Sequence, residues 1–199
     1  MKLIVASGNE GKIREFREIL PAYGFTVLGA KEAGVIMDVI EDGNSFYENA
    51  AKKARYIAEK TGCAALADDS GLCVDALSGS PGIYSARYAG EHATDRENNE
   101  KLLTTLKDIE QNKRGAHFSS SVVICYPNGD TIDGYGETQG EILFAEEGEG
   151  GFGYDPLFYS YDLEKAFGLA SPQEKNKISH RARAISDLCR KLQVQMKKH

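Results

Sequence analysis

Residues 2–20, KLIVASGNEGKIREFREIL, predict a strand, a polar loop and a helix in direct succession. Leu3–Ala6 is a short apolar run, typical of a buried strand, and it stops at Ser-Gly-Asn. Apolar residues then recur at close to helical spacing, at Ile13, Phe16, Ile19 and Leu20. Pro21 and Gly24 lie just beyond, where a helix is expected to end. The chain therefore opens on a strand–loop–helix unit.

Further helices are predicted where capping signals precede periodic apolar residues. Ser45-Phe-Tyr-Glu48 fits a capping box. Either Thr94 or Asp95 fits the cap of a helix that reaches about Asp108, and Ser171-Pro172 resembles a helix start with Pro at the first position. The last predicted helix carries one apolar face, formed by Ile185, Leu188, Cys189 and Leu192.

Strands are predicted between these helices. Phe25–Leu28 follows the first helix, and Ala64–Ala67 and Leu72–Ala76 flank the acidic segment Asp-Asp-Ser-Gly. Phe118–Tyr126 and Thr131–Tyr135 flank Pro-Asn-Gly-Asp, a strong hairpin signal. Because strands and helices mix throughout, the predicted class is α/β, and 199 residues suit one domain, 1–199, with two lobes.

Composition narrows the classes of partner. The formal net charge of −6 argues against a protein that grips long nucleic acid, which usually has a basic surface. A small anionic ligand needs only local positive charge and remains compatible. The N-terminal apolar run is too short for a signal peptide or a membrane span, and the four cysteines form no C-x-x-C pair. We therefore expect a cytoplasmic protein with reduced thiols.

The loop after the first strand has the features of an anion site. It consists of Ser7, Gly8, Asn9, Glu10, Gly11 and Lys12. Backbone N–H groups at a helix N-terminus bind anions, and glycines let a phosphate approach closely. An ordinary strand-to-helix turn with a solvated lysine is the alternative. The loop is not a Walker A motif, since Ala6 and Ile13 stand where a glycine and a Ser/Thr are needed.

Two acidic segments are candidates for a metal site. Glu41-Asp42-Gly43 alone is more typical of a solvated turn. Asp68 and Asp69 are adjacent at the end of a predicted strand, which favours function. Side chains alternate along a strand, so one carboxylate is expected to face the site while the other caps a turn. Magnesium prefers oxygen ligands and keeps several waters, so one or two carboxylates suffice.

A second glycine-rich loop, Gly150–Pro156, contains two aromatic residues. Flexible glycines around Phe152 and Tyr154 suit a flat ring stacked against the loop. A tight turn whose aromatic side chains belong to the core is an equally good interpretation.

Basic residues cluster from Lys175 to Arg181, at a predicted helix start. The helix dipole disfavours cations there, and such a local conflict often marks function. A solvated helix face with Ser179 as its cap is the alternative. Lys52 and Lys53, on an earlier predicted helix, are each by themselves typical of solvated helix lysines.

Taken together, the motifs resemble the Ham1/RdgB-like inosine triphosphate pyrophosphatase family over nearly the whole chain. Several long motifs in one order carry the resemblance: Ser7–Lys12, Glu41–Asn49, Ala67–Leu72, Pro81–Tyr88, Gly150–Phe158 and Ile178–Arg181. It implies an elongated mixed β-sheet flanked by helices, with two lobes and an active-site cleft between them. It also implies a homodimer and magnesium-dependent hydrolysis of ITP, dITP and XTP to the monophosphate and pyrophosphate, which removes deaminated purines from the nucleotide pool.

The resemblance also assigns residues by position. The residues that would bind the triphosphate are Ser7, Gly8, Asn9, Glu10, Gly11, Lys12 and Lys53. Glu41 and Asp69 would bind magnesium, and Asp69 would also accept the proton of the attacking water. The remaining substrate contacts, mostly to the base, fall to Ser70, Phe152, Gly153, Tyr154, Asp155, Lys175, His180 and Arg181.

Three other functions share some of these sequence features. A Maf-like nucleotide pyrophosphatase has a related architecture and a different base preference. A non-catalytic nucleotide sensor does not need the water-activating carboxylate that Asp69 supplies. A P-loop kinase is disfavoured by the missing Walker A motif.

Overall fold

The computed structural model describes residues 1–196, so the last three residues of the predicted domain lie outside it. The helices of this range are α1 (Glu10–Ile19), α2 (Phe46–Thr61), α3 (Asp95–Thr105), α4 (Pro172–Ile178) and α5 (His180–Met196). Its strands are β1 (Lys2–Val5), β2 (Thr26–Gly29), β3 (Ala65–Val74), β4 (Gly115–Cys125), β5 (Thr131–Ile142), β6 (Phe158–Ser160) and β7 (Lys165–Ala166). No helix within residues 1–196 is both long and apolar enough to cross a membrane.

The seven described strands form one mixed sheet in the order β2-β1-β3-β4-β5-β6-β7. β1 pairs in parallel with β2 and with β3, so Lys2 lies opposite Thr26 and Ile4 opposite Ala65. β6 pairs antiparallel with β5 and with β7. The parallel β1–β2 pair needs a crossover, which α1 supplies. The predicted α/β class with a mixed sheet is confirmed.

The chain divides into two compact units. The first contains residues 1–69, 120–136 and the C-terminal segment from 181; the second contains residues 70–119 and 137–180. In the first unit, apolar side chains of β1, α1, β3 and α5 share one core cluster, which includes Leu3, Phe16, Leu66, Ile185 and Leu188. In the second, a separate core includes Leu72, Leu102, Phe118, Phe158 and Phe167.

The prediction of two strands around Asp-Asp-Ser-Gly is wrong, because β3 is a single strand from Ala65 to Val74. No turn forms at the acidic pair, since both carboxylates are bonded to side chains of other elements. Gly71 keeps the strand extended where another segment approaches: a Cβ there would lie 2.2 Å from the carbonyl oxygen of Gly82.

Most predicted helix starts are confirmed. Thr94 and Glu97 form a reciprocal capping box for α3, and Ser171 caps α4 with Pro172 in its first turn. At α2, Ser45 accepts from Glu48 N, but the Glu48 carboxylate accepts from Asn44 N, so the box is not reciprocal.

The basic cluster is not a single helix start. Lys175 and Lys177 lie in the last turn of α4, where the helix dipole favours cations. Ser179 ends α4 by donating its N–H to Lys175 O, and α5 begins at His180. The predicted conflict with the dipole is therefore wrong for the lysines, and only His180 and Arg181 stand at a helix start.

Candidate active site

The loop between β1 and α1 is ordered by two side chains of its own. Asn9 Oδ1 accepts from Lys12 N at 3.0 Å and caps α1, while Ser7 Oγ accepts from Asn9 N at 3.1 Å. The buried strand β1 is thus followed by an exposed loop, which leads directly into the ten-residue helix α1. The first-turn N–H groups of such a helix are the usual donors to a bound anion.

Lys12 lies beside a buried carboxylate. Its Nζ is 3.2 Å from Asp68 Oδ2, and its side chain is only 15% exposed. Burial lowers the pKa of Lys12 more than Asp68 raises it, and the nearby cations Lys53 and Arg181 lower it further. A bound anion would stabilise the charged ammonium, so the lysine has a physical reason to bind phosphate.

Asp69 projects from β3 into a buried polar setting. Its Oδ2 accepts from Asn49 Nδ2 at 3.0 Å, and its Oδ1 is 3.6 Å from Lys53 Nζ. Burial raises the pKa of Asp69, and this outweighs the opposing effect of Lys53 and Lys12. A carboxylate with a raised pKa is a better proton acceptor from water.

Asp68 and Asp69 do point into different environments, but the prediction that one of them caps a turn is wrong. Asp68 is bonded to Arg181 and paired with Lys12, whereas Asp69 is bonded to Asn49 and paired with Lys53. Both side chains are buried and both are held by cations.

Asn49 connects the two acidic segments. Besides donating to Asp69, it accepts from Gly43 N at 2.8 Å, and it is fully buried. Gly43 has no room for a side chain, since its Cβ would lie 2.6 Å from Asn49 Oδ1. The Glu41–Gly43 segment is therefore fixed against the start of α2, close to Asp69.

Lys53 places one positive charge between the two predicted metal ligands. Its Nζ lies 2.9 Å from Glu41 Oε2 and 3.6 Å from Asp69 Oδ1. Burial opposes the charged lysine, but Asp69 and Glu41 outweigh it and raise the pKa of Lys53. Both carboxylates thus lie close enough to share one cation.

The donor set of this cluster fits magnesium. Residues 1–196 contain no group of three or more His, Cys, Asp or Glu arranged to hold a metal. Magnesium does not need one, because it binds through one or two carboxylates, waters and substrate phosphates. The cluster formally carries one negative charge, from Lys12, Lys53, Arg181, Glu15, Glu41, Asp68 and Asp69. A divalent cation would therefore make it positive, as a triphosphate requires.

Arg181 is fully buried in the first unit. Its guanidinium donates to Asp68 Oδ2 from Nε at 3.1 Å and from Nη2 at 2.8 Å, and Nη1 donates to Glu15. Burial disfavours the charged form, but these two carboxylates outweigh it and raise the pKa of Arg181. The Arg181 side chain is only 1% exposed, so its guanidinium offers almost no surface to a ligand, and the base contact stays a prediction.

In the second unit, the structure brings together Phe152, Asp155 and Lys175. Asp155 Oδ2 accepts from Phe152 N at 2.9 Å and from Lys175 Nζ at 2.6 Å. Lys175 Nζ also lies 4.6 Å from the centre of the Phe152 ring, a cation–π contact. The half-buried Phe152 ring is thus in contact with a buried ion pair, Lys175–Asp155.

Tyr154 does not share this arrangement. Its ring is 4% exposed and belongs to the core of the second unit, and its hydroxyl donates to Ser85 O at 2.8 Å. The interpretation that both aromatics of the loop stack on a ligand is therefore wrong for Tyr154, whose side chain is structural. For Phe152, which is partly exposed, the stacking role stays a prediction.

His180 stacks on Phe118, with ring centres 4.8 Å apart and an interplanar angle of 16°. The break before it is fixed by Thr138, whose hydroxyl donates to Ile178 O at 2.8 Å. Ser70 follows Asp69 in β3 and is partly exposed. His180 is 4% exposed, and the roles of His180 and Ser70 as substrate contacts stay predictions.

A mixed sheet whose first strand leads through a glycine-containing loop into a helix, beside buried lysines and carboxylates, defines an α/β protein with a charged polar site. The chain belongs to the Ham1 family, whose sequence model matches residues 3–191.

Named relatives cover almost the whole chain. The dITP/XTP pyrophosphatase of Desulforamulus reducens is 48% identical over 185 residues, 93% of this chain and 92% of its own. That of Haemophilus influenzae is 48% identical over 193 residues, 96% of this chain and 98% of its own. The Ham1 protein of Staphylococcus aureus has a solved structure with a TM-score of 0.84 and 42% identity, covering 98% of this chain and 100% of that one.

Proposed function

We propose that this protein hydrolyses the triphosphates of deaminated purine nucleosides, namely dITP, ITP and XTP, to the monophosphate and pyrophosphate. The observation that carries the proposal is Asp69, a buried carboxylate held by Asn49 and Lys53. Relatives across nearly the whole length are dITP/XTP pyrophosphatases, which supports the substrate class. A cytoplasmic homodimer is proposed with it, and light scattering of the purified protein tests the dimer.

Binding of the triphosphate is proposed for the Ser7–Lys12 loop together with Lys53. The start of α1 supplies backbone donors and Lys12 supplies a charge that burial keeps poorly solvated. Lys53 would exchange its carboxylate partners for a phosphate oxygen when substrate binds. Both lysines then neutralise charge that develops on the leaving pyrophosphate.

Glu41 and Asp69 would hold Mg²⁺, as their shared contact with Lys53 supports. When bound, the metal polarises the attacking water and neutralises phosphate charge. Asp69 orients that water and accepts its proton. Asn49 keeps the Asp69 carboxylate oriented by donating to Oδ2.

The purine base would be bound by the second glycine-rich loop and by the first residues of α5. Phe152 stacks on the purine, Asp155 accepts from the ring N1–H, and Gly153 and the Tyr154 backbone complete the loop. Lys175 fixes Asp155, and Ser70 contacts the substrate. His180 and the backbone of Arg181 donate to O6, where adenine presents a donor instead. A donor left without a partner discriminates strongly against the wrong base, by up to about 10⁴-fold.

A screen of pyrophosphate release across the common and deaminated nucleoside triphosphates tests the proposal. We expect dITP, ITP and XTP to be cleaved best, with one pyrophosphate per monophosphate by chromatography. IDP and inorganic phosphate as the main products of ITP would contradict the proposed reaction. Preferred cleavage of dTTP or UTP would instead indicate a Maf-like base preference.

Removing either phosphate-binding lysine should weaken triphosphate binding. Lys12→Ala and Lys53→Ala are each expected to cost about 1–3 kcal/mol, the scale of a charge-assisted hydrogen bond. The inhibition constant of inorganic tripolyphosphate, which has no base, measures this directly. Lys52→Ala is the matched control, because Lys52 neighbours Lys53 but pairs with the exposed Asp42. Equal effects at Lys52 and Lys53 would show that only general charge matters.

A further inference from the structure

Helix α3 holds the second glycine-rich loop at its centre, through both backbone groups of Gly153. Asp95 Oδ2 accepts from Gly153 N at 2.7 Å, and Asn99 Nδ2 donates to Gly153 O at 3.2 Å. Asp95 and Asn99 are four residues apart and therefore lie on one side of the helix. One helix face thus fixes a peptide segment that is 54 residues further along the chain.

The backbone conformation of Gly153 is one that favours glycine. Its φ of +63° is left-handed, a conformation that residues with a side chain rarely adopt. Phe152 precedes it and Asp155 follows two residues later. A shift of the Gly153 peptide would therefore move both the stacking ring and the carboxylate.

The hydrogen bonds of Asn99 differ from those of its neighbour on the same helix. Asn98 accepts from Ala89 N at 2.7 Å and donates to Ala86 O at 3.2 Å, so both ends of its amide are used. Asn99 donates to Gly153 O and to Glu146, but its buried Oδ1 has no hydrogen-bond partner within residues 1–196. A buried acceptor without a partner costs stability, and such a local conflict often marks function.

We propose that Asp95 and Asn99 are positioning residues, which hold the Phe152–Asp155 loop in the geometry that receives the purine base. The inference rests on the proposed function and deepens it. Neither side chain needs to touch the substrate, because each acts through the Gly153 backbone. Their loss should therefore affect binding of the base and leave binding of the phosphates unchanged.

Four variants test this: Asn99→Ala, Asp95→Ala, Asp95→Asn and the control Asn98→Ala. We measure kcat and KM for dITP, and the inhibition constant of inorganic tripolyphosphate. Asn99→Ala and Asp95→Ala should lower kcat/KM for dITP by roughly 10- to 100-fold, mostly through KM, the scale of a misplaced binding group. The tripolyphosphate constant should not change. Asp95→Asn should recover most of the loss, since its amide oxygen still accepts from Gly153 N.

Asn98→Ala removes an equally buried asparagine from the same helix and should leave KM for dITP near its wild-type value. Equal losses in the Asn98 and Asn99 variants would show a general effect of helix stability and overturn the inference. So would a parallel change in tripolyphosphate inhibition, or unchanged kinetics in both alanine variants at Asp95 and Asn99. Turnover of dITP by the wild-type protein tests the proposed function separately, and its absence overturns both.

Discussion

Asp69→Asn is expected to lower kcat for dITP by roughly 10²–10⁴-fold, the contribution of a general base, while the fold survives. The amide keeps the size of the side chain but loses the charge that would hold the metal and accept a proton. Its oxygen still accepts from Asn49 Nδ2, so the local packing has no reason to change. Turnover should be measured together with circular dichroism and the melting temperature.

Asp42→Asn is the matched control for this variant. Asp42 also pairs with a lysine of α2, but its side chain is exposed and bonded to Lys52. Its substitution should leave kcat within about twofold, since surface ion pairs contribute little. Near-wild-type turnover in a folded Asp69→Asn protein would show that Asp69 is not the general base. Asp68 would then be the next candidate for that role.

The order of elements could be predicted from the sequence because it depends on local signals. Capping residues such as Thr94 and Ser171 and the turn at Pro127–Asp130 act over a few residues. The prediction of two strands in place of β3 failed because of tertiary contacts. Asp68 and Asp69 are typical of a strand end in the sequence, but in the structure they form ion pairs with residues of other elements and stay inside the strand.

The candidate site was predictable as a set of motifs but not as a set of contacts. The partners of Arg181, Glu15 and Asp68, are 166 and 113 residues away in the chain. No spacing rule links such residues. One sequence signal did point to Glu15, because it is a carboxylate beside Phe16 on the buried face of α1. Asn49 stood within a recognised motif, yet only the structure shows that it holds Asp69.

Arg181→Ala is expected to destabilise the protein by about 3–5 kcal/mol, or about 6–20 °C in melting temperature. The substitution removes the cation that pairs with two buried carboxylates, Glu15 and Asp68. Lys12 remains beside Asp68, but Glu15 loses the guanidinium. Thermal and denaturant unfolding measure the loss. Arg17→Ala is the control, because the Arg17–Glu32 pair is exposed and should cost at most about 1 kcal/mol.

The same variant separates a buried ion pair from a base contact. If the loss comes from separating the buried Glu15 carboxylate from the Arg181 guanidinium, Glu15→Gln in the Arg181→Ala background should recover part of the stability, since a neutral amide needs no cation. If the Arg181 side chain instead contacts the base, as the resemblance implies, Arg181→Ala should weaken the preference for ITP over ATP. Specificity constants for ITP, ATP and GTP, measured where the variant is folded, decide between them. Unchanged ratios with lowered stability would show that the Arg181 side chain supports Asp68 and does not read the base.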